Sequence, residues 1–172
     1  MQRLILMRHA KTEPWSEGSD DHARALLPVG HDAAIAMANA LDAEGWAPDI
    51  ALVSTARRTR ETWTHLKQIF TASEMNLEED LYLAGERGIA DIIADNERAK
   101  TLIIIGLNPG LHDLALSILR EAGSVDHQAA IRIAAKLPTG AAVLFEAESD
   151  GAFVPAQFKL RNFIKPKDLM SF

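Results

Sequence analysis

The run Thr101-Leu102-Ile103-Ile104-Ile105-Gly106 limits the fold more than any other stretch, because it carries no charge and is rich in β-branched residues. A half-exposed strand alternates apolar and polar side chains, so an unbroken run like this one belongs to a strand covered on both faces. A helix start follows it. Asn108 suits an N-cap and Pro109 the first helical position. Leu111, Leu114, Ala115, Ile118 and Leu119 then recur at the spacing of a helix packed on a sheet. Two more junctions repeat the pattern. Leu4-Ile5-Leu6-Met7 is an apolar strand that delivers Arg8 and His9 at its carboxyl end. Asp49 to Ser54 reads as a short buried strand with Ser54 as N-cap, running into a helix marked by Trp63, Leu66 and Phe70. Repeated strand-to-helix order predicts a three-layer α/β/α fold with a mostly parallel central sheet and helices on both faces.

The remainder reads as scaffold. Ala34, Met37, Ala38 and Leu41 form a helical stripe with Pro28 near its start and Gly45 near its end. Leu27 is a poor N-cap and predicts a slightly frayed first turn. Ile89, Ile92 and Ile93 mark a further helix before Thr101. Beyond residue 128 the pattern turns to strands: 141–146 and 152–160 flank Asp150-Gly151, a hairpin turn signal. Pro155 makes the second of these an edge or bulged strand, so the sheet gains an antiparallel margin. Residues 165–172 read as a loose tail. No linker, repeat or low-complexity run divides residues 1–172, which predicts a single domain.

In open α/β sheets the carboxyl ends of the strands border the ligand crevice. An imidazole there can attack phosphorus while a guanidinium holds phosphate oxygens, so Arg8 and His9 point to phosphoryl chemistry. Arg57, Arg58 and Arg60 fall in the opening turns of a helix, where the macrodipole disfavours each cation by roughly 0.3–1 kcal/mol. A bound anion would resolve that conflict. Pairing of Arg57 with Glu61 accounts for one arginine, but not for three. Asn108 marks another helix start fed by a strand and is a candidate phosphate contact. Thr12 either adds a hydroxyl to the phosphate pocket or caps the turn after the first strand. Glu86 is a candidate carboxyl group for proton donation, although its position better suits the first turn of the next helix. His112, about one turn past Asn108, either reaches back toward the strand end as a pocket histidine or sits as a partly exposed helix residue, and the second reading is favoured. His22, His31, His65 and His127 lack metal-ligand spacing and read as surface or cap residues, so no metal or other cofactor is expected.

A formal net charge of −6 argues against a general nucleic-acid binder. Arginines clustered on an acidic body instead form a local positive spot that draws a single phosphoryl group. The sequence has no cysteine, which fits a reducing compartment. The first residues lack the apolar core of a signal peptide, and no stretch reaches the ~18 apolar residues of a membrane span. The expectation is a soluble cytoplasmic protein.

At this point four motifs carry a resemblance. Arg8-His9-Ala10 resembles the Arg-His-Gly signature of the histidine phosphatase, or phosphoglycerate mutase-like, superfamily. Ser54-Thr55-Ala56-Arg57-Arg58-Thr59-Arg60-Glu61-Thr62 is similar to its Ser-Pro-x-x-Arg-Ala-x-Gln-Thr segment. Arg24-Ala25-Leu26-Leu27-Pro28-Val29-Gly30 resembles the Arg-Pro-Leu-Thr-x-x-Gly stretch of the short SixA-like branch, and Gly106-Leu107-Asn108-Pro109-Gly110 resembles its Gly-His-Asn-Pro-Gly. The resemblance implies His9 as nucleophile, Arg8 and Arg58 as phosphate-binding residues, and a phosphohistidine enzyme intermediate. It implies hydrolysis of phosphohistidine on signalling or phosphotransfer proteins, with phosphate or another oxyanion bound in the pocket. Leu107 departs from the pattern, standing where the family carries a second pocket histidine. A small-molecule phosphomonoesterase, and a weakened or inactive phosphoryl-binding pseudoenzyme, therefore stay open beside the phosphohistidine phosphatase.

Overall fold

Residues 1–124 and 126–170 are described by a computed structural model of the chain. They build a six-stranded sheet in the order β3-β2-β4-β1-β5-β6. The strands are β1 (Arg3–Arg8), β2 (Ile50–Ser54), β3 (Glu74–Glu78), β4 (Thr101–Gly106), β5 (Ala142–Glu146) and β6 (Lys159–Ile164). β3, β2, β4 and β1 pair in parallel, whereas β5 pairs antiparallel with both β1 and β6. This is the expected α/β architecture with an antiparallel margin.

Strand periodicity divides the core. Leu4 and Leu6 of β1, with Leu52 and Ile104, pack under α3 (Glu86–Ala94), α4 (Gly110–Ala122) and α5 (His127–Ala135). Ile5 and Met7, with Ala51, Val53, Ile103 and Ile105, pack on the opposite face under α1 (Pro28–Ala43) and α2 (Arg57–Lys67). Successive side chains of a strand point to opposite faces, so an unbroken apolar run feeds both layers at once. β1 and β4 lie side by side between them, and the His9 N–H donates to the Gly106 carbonyl at 3.1 Å. That contact sets the carboxyl ends of the two strands together.

Several elements depart from expectation. β3 is an edge strand of sequence Glu-Met-Asn-Leu-Glu, too polar to register as a strand by its side chains. The segment after residue 126 is helical, not extended: Asp126 caps α5 through the Ala129 N–H at 2.9 Å, and Ala129 and Ile133 are buried one turn apart. Asp150-Gly151 is not a tight hairpin turn. The Gly151 carbonyl accepts from the Met1 amine at 2.6 Å, and Asp150 pairs with that amine at 2.5 Å. β6 accordingly begins only at Lys159, after a short 3₁₀ turn at Pro155–Gln157. The supposed tail forms a one-turn helix, α6 (Pro166–Leu169), against α1, and residues 171–172 of that expectation lie outside the described residues. Neither proposed N-cap holds: α2 starts behind Ala56 and α4 behind Pro109, each without a side-chain cap. Leu27 does precede α1 without a side-chain cap. No helix among the described residues is long and apolar enough to cross a membrane.

Gly30 fixes how α1 meets the segment after His9. A Cβ there would lie 2.1 Å from the Lys11 carbonyl oxygen, which already accepts the Leu27 N–H at 2.9 Å. Gly30→Ala is therefore expected to lower stability by about 1–3 kcal/mol through overpacking. An unchanged urea midpoint would show that the loop yields freely.

Candidate active site

β1 carries Arg8 at its last position and releases His9 directly into the crevice at the sheet's carboxyl edge. His9 is only 5% exposed. Its Nδ1 lies 2.8 Å from the Ala10 carbonyl, which can only accept, so Nδ1 carries the proton and Nε2 keeps its lone pair. The ring is held far below ordinary histidine, at about 3, first by burial and then by the charges of Arg8, Arg58 and Arg24, with the Ala10 hydrogen bond opposing. The imidazole is thus neutral across the physiological range. Ala10 is tied in turn to α2, its N–H donating to Thr62 Oγ1 at 3.1 Å while that hydroxyl donates to the Arg58 carbonyl at 2.7 Å.

The three arginines opening α2 separate. Arg57 binds Glu61 Oε1 at 3.0 Å and Arg60 binds the Thr55 carbonyl at 3.0 Å, both on the exposed side. Arg58 alone is buried. The inference of an anion from three crowded cations therefore reduces to one residue. Arg58 donates through Nη1 to the Asp21 carbonyl at 2.8 Å and through Nη2 to Asp21 Oδ2 at 3.1 Å. Arg8 donates through Nη1 to the Leu137 carbonyl at 3.1 Å, and Asn108 Nδ2 donates to the same oxygen at 3.1 Å. Arg8 is held below the usual arginine range by burial and by Arg58 and Arg24. The Nε groups of Arg8 and Arg58 and the Oδ1 of Asn108 are buried without partners. An unpaired buried donor costs about 1–3 kcal/mol, which an oxyanion accepting from the guanidinium groups would offset.

The site contains residues that sequence reading missed. Asp21, on a 3₁₀ turn at Asp21–Ala23, gathers Arg58, Arg24 Nε at 3.0 Å and the Tyr82 hydroxyl at 2.6 Å. Its carboxyl is held below the usual aspartate range, first by Tyr82 and then by Arg58 and Arg24, against a desolvation cost. Arg24 also reaches the Glu13 carbonyl at 3.0 Å and Thr12 Oγ1 at 3.4 Å. Thr12 forms a backbone bridge with Leu26, which ties the loop after β1 to the segment before α1. His22, read as surface, meets Thr55 Oγ1 at 3.0 Å and stands edge-on to Tyr82. Arg24 lay within a recognised motif. Asp21 and Tyr82 had no signal, because their partnership spans unrelated segments.

Other candidates lie elsewhere. His112 Nε2 is 2.5 Å from the Ile133 carbonyl, which binds it to α5. His31 and His65 share a 2.8 Å contact between α1 and α2. Glu86 opens α3 as a first-turn acid and lines a cleft with Arg87, Leu114 and Pro155. Leu107 follows β4 directly and is 4% exposed. Among the described residues, no group of three or more histidine or carboxylate side chains is placed to hold a metal ion.

A family model described as the histidine phosphatase superfamily (branch 1) matches residues 4–82. The uncharacterized protein MT1313 of Mycobacterium tuberculosis is 35% identical over 140 residues, covering 80% of this chain and 85% of that one. A shorter match, 45% identical over 62 residues, is to the uncharacterized chloroplastic protein At3g52155 of Arabidopsis thaliana; it covers 36% of this chain and 28% of that one. In solved structures, a putative phosphohistidine phosphatase SixA from Nakamurella multipartitia superposes with a TM-score of 0.82 at 25% identity, over 96% of each chain. The protein histidine phosphatase SixA complexed with tungstate superposes with a TM-score of 0.75 at 18% identity, over 98% of this chain and 99% of that one.

Proposed function

The chain belongs to the histidine phosphatase superfamily, among its SixA-like phosphatases, and from that premise we propose that it hydrolyses phosphohistidine on proteins through an intermediate on His9. The neutral His9 Nε2 attacks phosphorus in line as the bond from phosphorus to the substrate imidazole breaks. Arg8 and Arg58 neutralise the equatorial oxygens, with Asn108 and Thr12 at the margin of the phosphate pocket. Water then attacks phosphorus and releases phosphate, returning His9 to its neutral form. Oxyanion binding by the tungstate-bound SixA relative supports the pocket assignment. The reducing cytoplasm suits a cysteine-free chain, and we place the activity there.

One observation carries the choice of substrate. Asp21 is the carboxylate bonded into the arginine cluster, and Tyr82, Arg58 and Arg24 hold it ionised. An ionised carboxylate cannot protonate a departing alkoxide, which a phosphate monoester requires. The imidazole of phosphohistidine, with a conjugate-acid pKa near 6.5, leaves neutral with a proton of its own. A phosphohistidine peptide is therefore expected to turn over at least ~10²-fold faster than phosphoserine or a sugar phosphate at pH 7, in proportion to the missing acid. Equal or faster release from the monoesters would replace this reading with a small-molecule phosphomonoesterase. Leu107 favours a second reading, phosphoryl binding without turnover, since leucine offers the transferring group no hydrogen bond.

A further inference from the structure

A groove adjoins the site on the side of the C-terminal helix. It is lined by Lys11, Lys165 and Lys167 together with Val29, Pro138 and Pro166. It shares a wall with the catalytic segment. Gly140 donates its N–H to the Arg8 and His9 carbonyls at 3.1 and 2.8 Å, and Lys11 stands two positions after His9. A Cβ on Gly140, whose φ is +76°, would meet Pro166 Cγ at 2.9 Å, so α6 sits directly on the turn that supports the nucleophile.

No ion pair among the described residues takes up Lys11, Lys165 or Lys167. Burial holds the Lys165 ammonium below the usual lysine range; Asp168 opposes that shift, while Lys167 and Arg132 add to it. Three lysines gathered on a chain of net charge −6 are set to meet an anionic surface. The apolar part of the lining narrows the occupant further, because a small polyanion would leave Val29, Pro138 and Pro166 uncovered. A peptide surface with carboxylates beside aliphatic side chains covers both parts.

We infer that this groove docks an acidic, amphipathic segment of the phosphorylated protein, placing its phosphohistidine beside His9. This rests on the proposed protein substrate. It makes substrate choice a property of Lys11, Lys165 and Lys167 as well as of the phosphate pocket.

The test uses two synthetic peptides of equal length, each with one phosphohistidine, one flanked by Glu and Leu and the other by Lys and Leu. Binding is read by fluorescence anisotropy at low salt, and phosphate release is followed in parallel. The acidic peptide is expected to bind about tenfold or more tightly, with the difference shrinking as salt is raised. In the Lys165→Glu/Lys167→Glu chain that preference should vanish while release from free phosphoramidate stays unchanged. Equal affinity for both peptides in the unaltered chain, or a preference that survives the charge reversal, would overturn the docking assignment. Failure of the phosphohistidine reading looks different: flank-dependent binding persists, with no His9-dependent phosphate release from either peptide.

Discussion

His9→Ala is expected to remove turnover, lowering kcat on the order of 10⁴–10⁶-fold as loss of a nucleophile does, while inorganic phosphate still binds through Arg8 and Arg58. The reason lies in how the ring is held. Its Nδ1 proton is committed to Ala10, and burial together with three arginines keeps the ring uncharged down to about pH 3. His9 should therefore contribute no inflection near pH 6.5, and one seen there belongs to the leaving imidazole of the substrate. The limb attributable to His9 falls only as the pH approaches 3. Stability carries the same sign. Above pH 6.5 neither folded nor unfolded chain protonates this ring, so it adds no pH dependence there. As the pH falls from 6.5 toward 3 the unfolded chain takes up a proton that the folded one refuses, and stability drops by about 5 kcal/mol at most. His9→Ala should flatten that part of the acid dependence, read as urea midpoints at pH 7 and pH 4.5. Phosphate release that survives the substitution would remove His9 from the mechanism.

Leu107→His is expected to accelerate phosphohistidine hydrolysis by about 10²–10³-fold, mostly in kcat, the scale of one added donor to a developing charge. Position 107 follows β4 immediately, beside the Gly106 carbonyl that holds the His9 backbone N–H. The leucine side chain there is buried and apolar, so this position can offer a bound phosphoryl group no hydrogen bond. Leu107→Met serves as the control, since it keeps the volume without adding a donor. A large gain from histidine alone would identify a weakened phosphatase. Activity that is absent in both the unaltered chain and Leu107→His would favour a phosphoryl-binding protein.

The groove and the arginine cluster bear differently on specificity. On the proposed reading, Asp21 is held ionised by Tyr82, Arg58 and Arg24 and so is unavailable as an acid, which would favour a leaving group that needs none. In the docking proposed above, Lys11, Lys165 and Lys167 would select for what surrounds that group. Both act beside one catalytic loop, because the 138–140 turn bonds to Arg8 and His9 from the groove side.

What the sequence determined by itself are the features written in short-range periodicity. The unbroken apolar runs of β1, β2 and β4 required a sheet covered on both faces, and the helical stripes behind them supplied the covers. Strand order then needed only the placing of Arg8-His9 and Leu107-Asn108 at neighbouring carboxyl ends. Polar or one-turn elements were illegible: β3 is held by backbone pairing to β2, and α6 by its seat against α1 and Gly140. Only the tertiary structure sorted Arg57, Arg58 and Arg60, since neighbours on a helix differ in direction but not in composition. Only it brought Asp21 to Arg58 and Tyr82, and three lysines to the edge of the site. Charge pairing across distant segments leaves no period in the chain, because such partners are chosen by proximity in space and by what must be compensated once water is excluded.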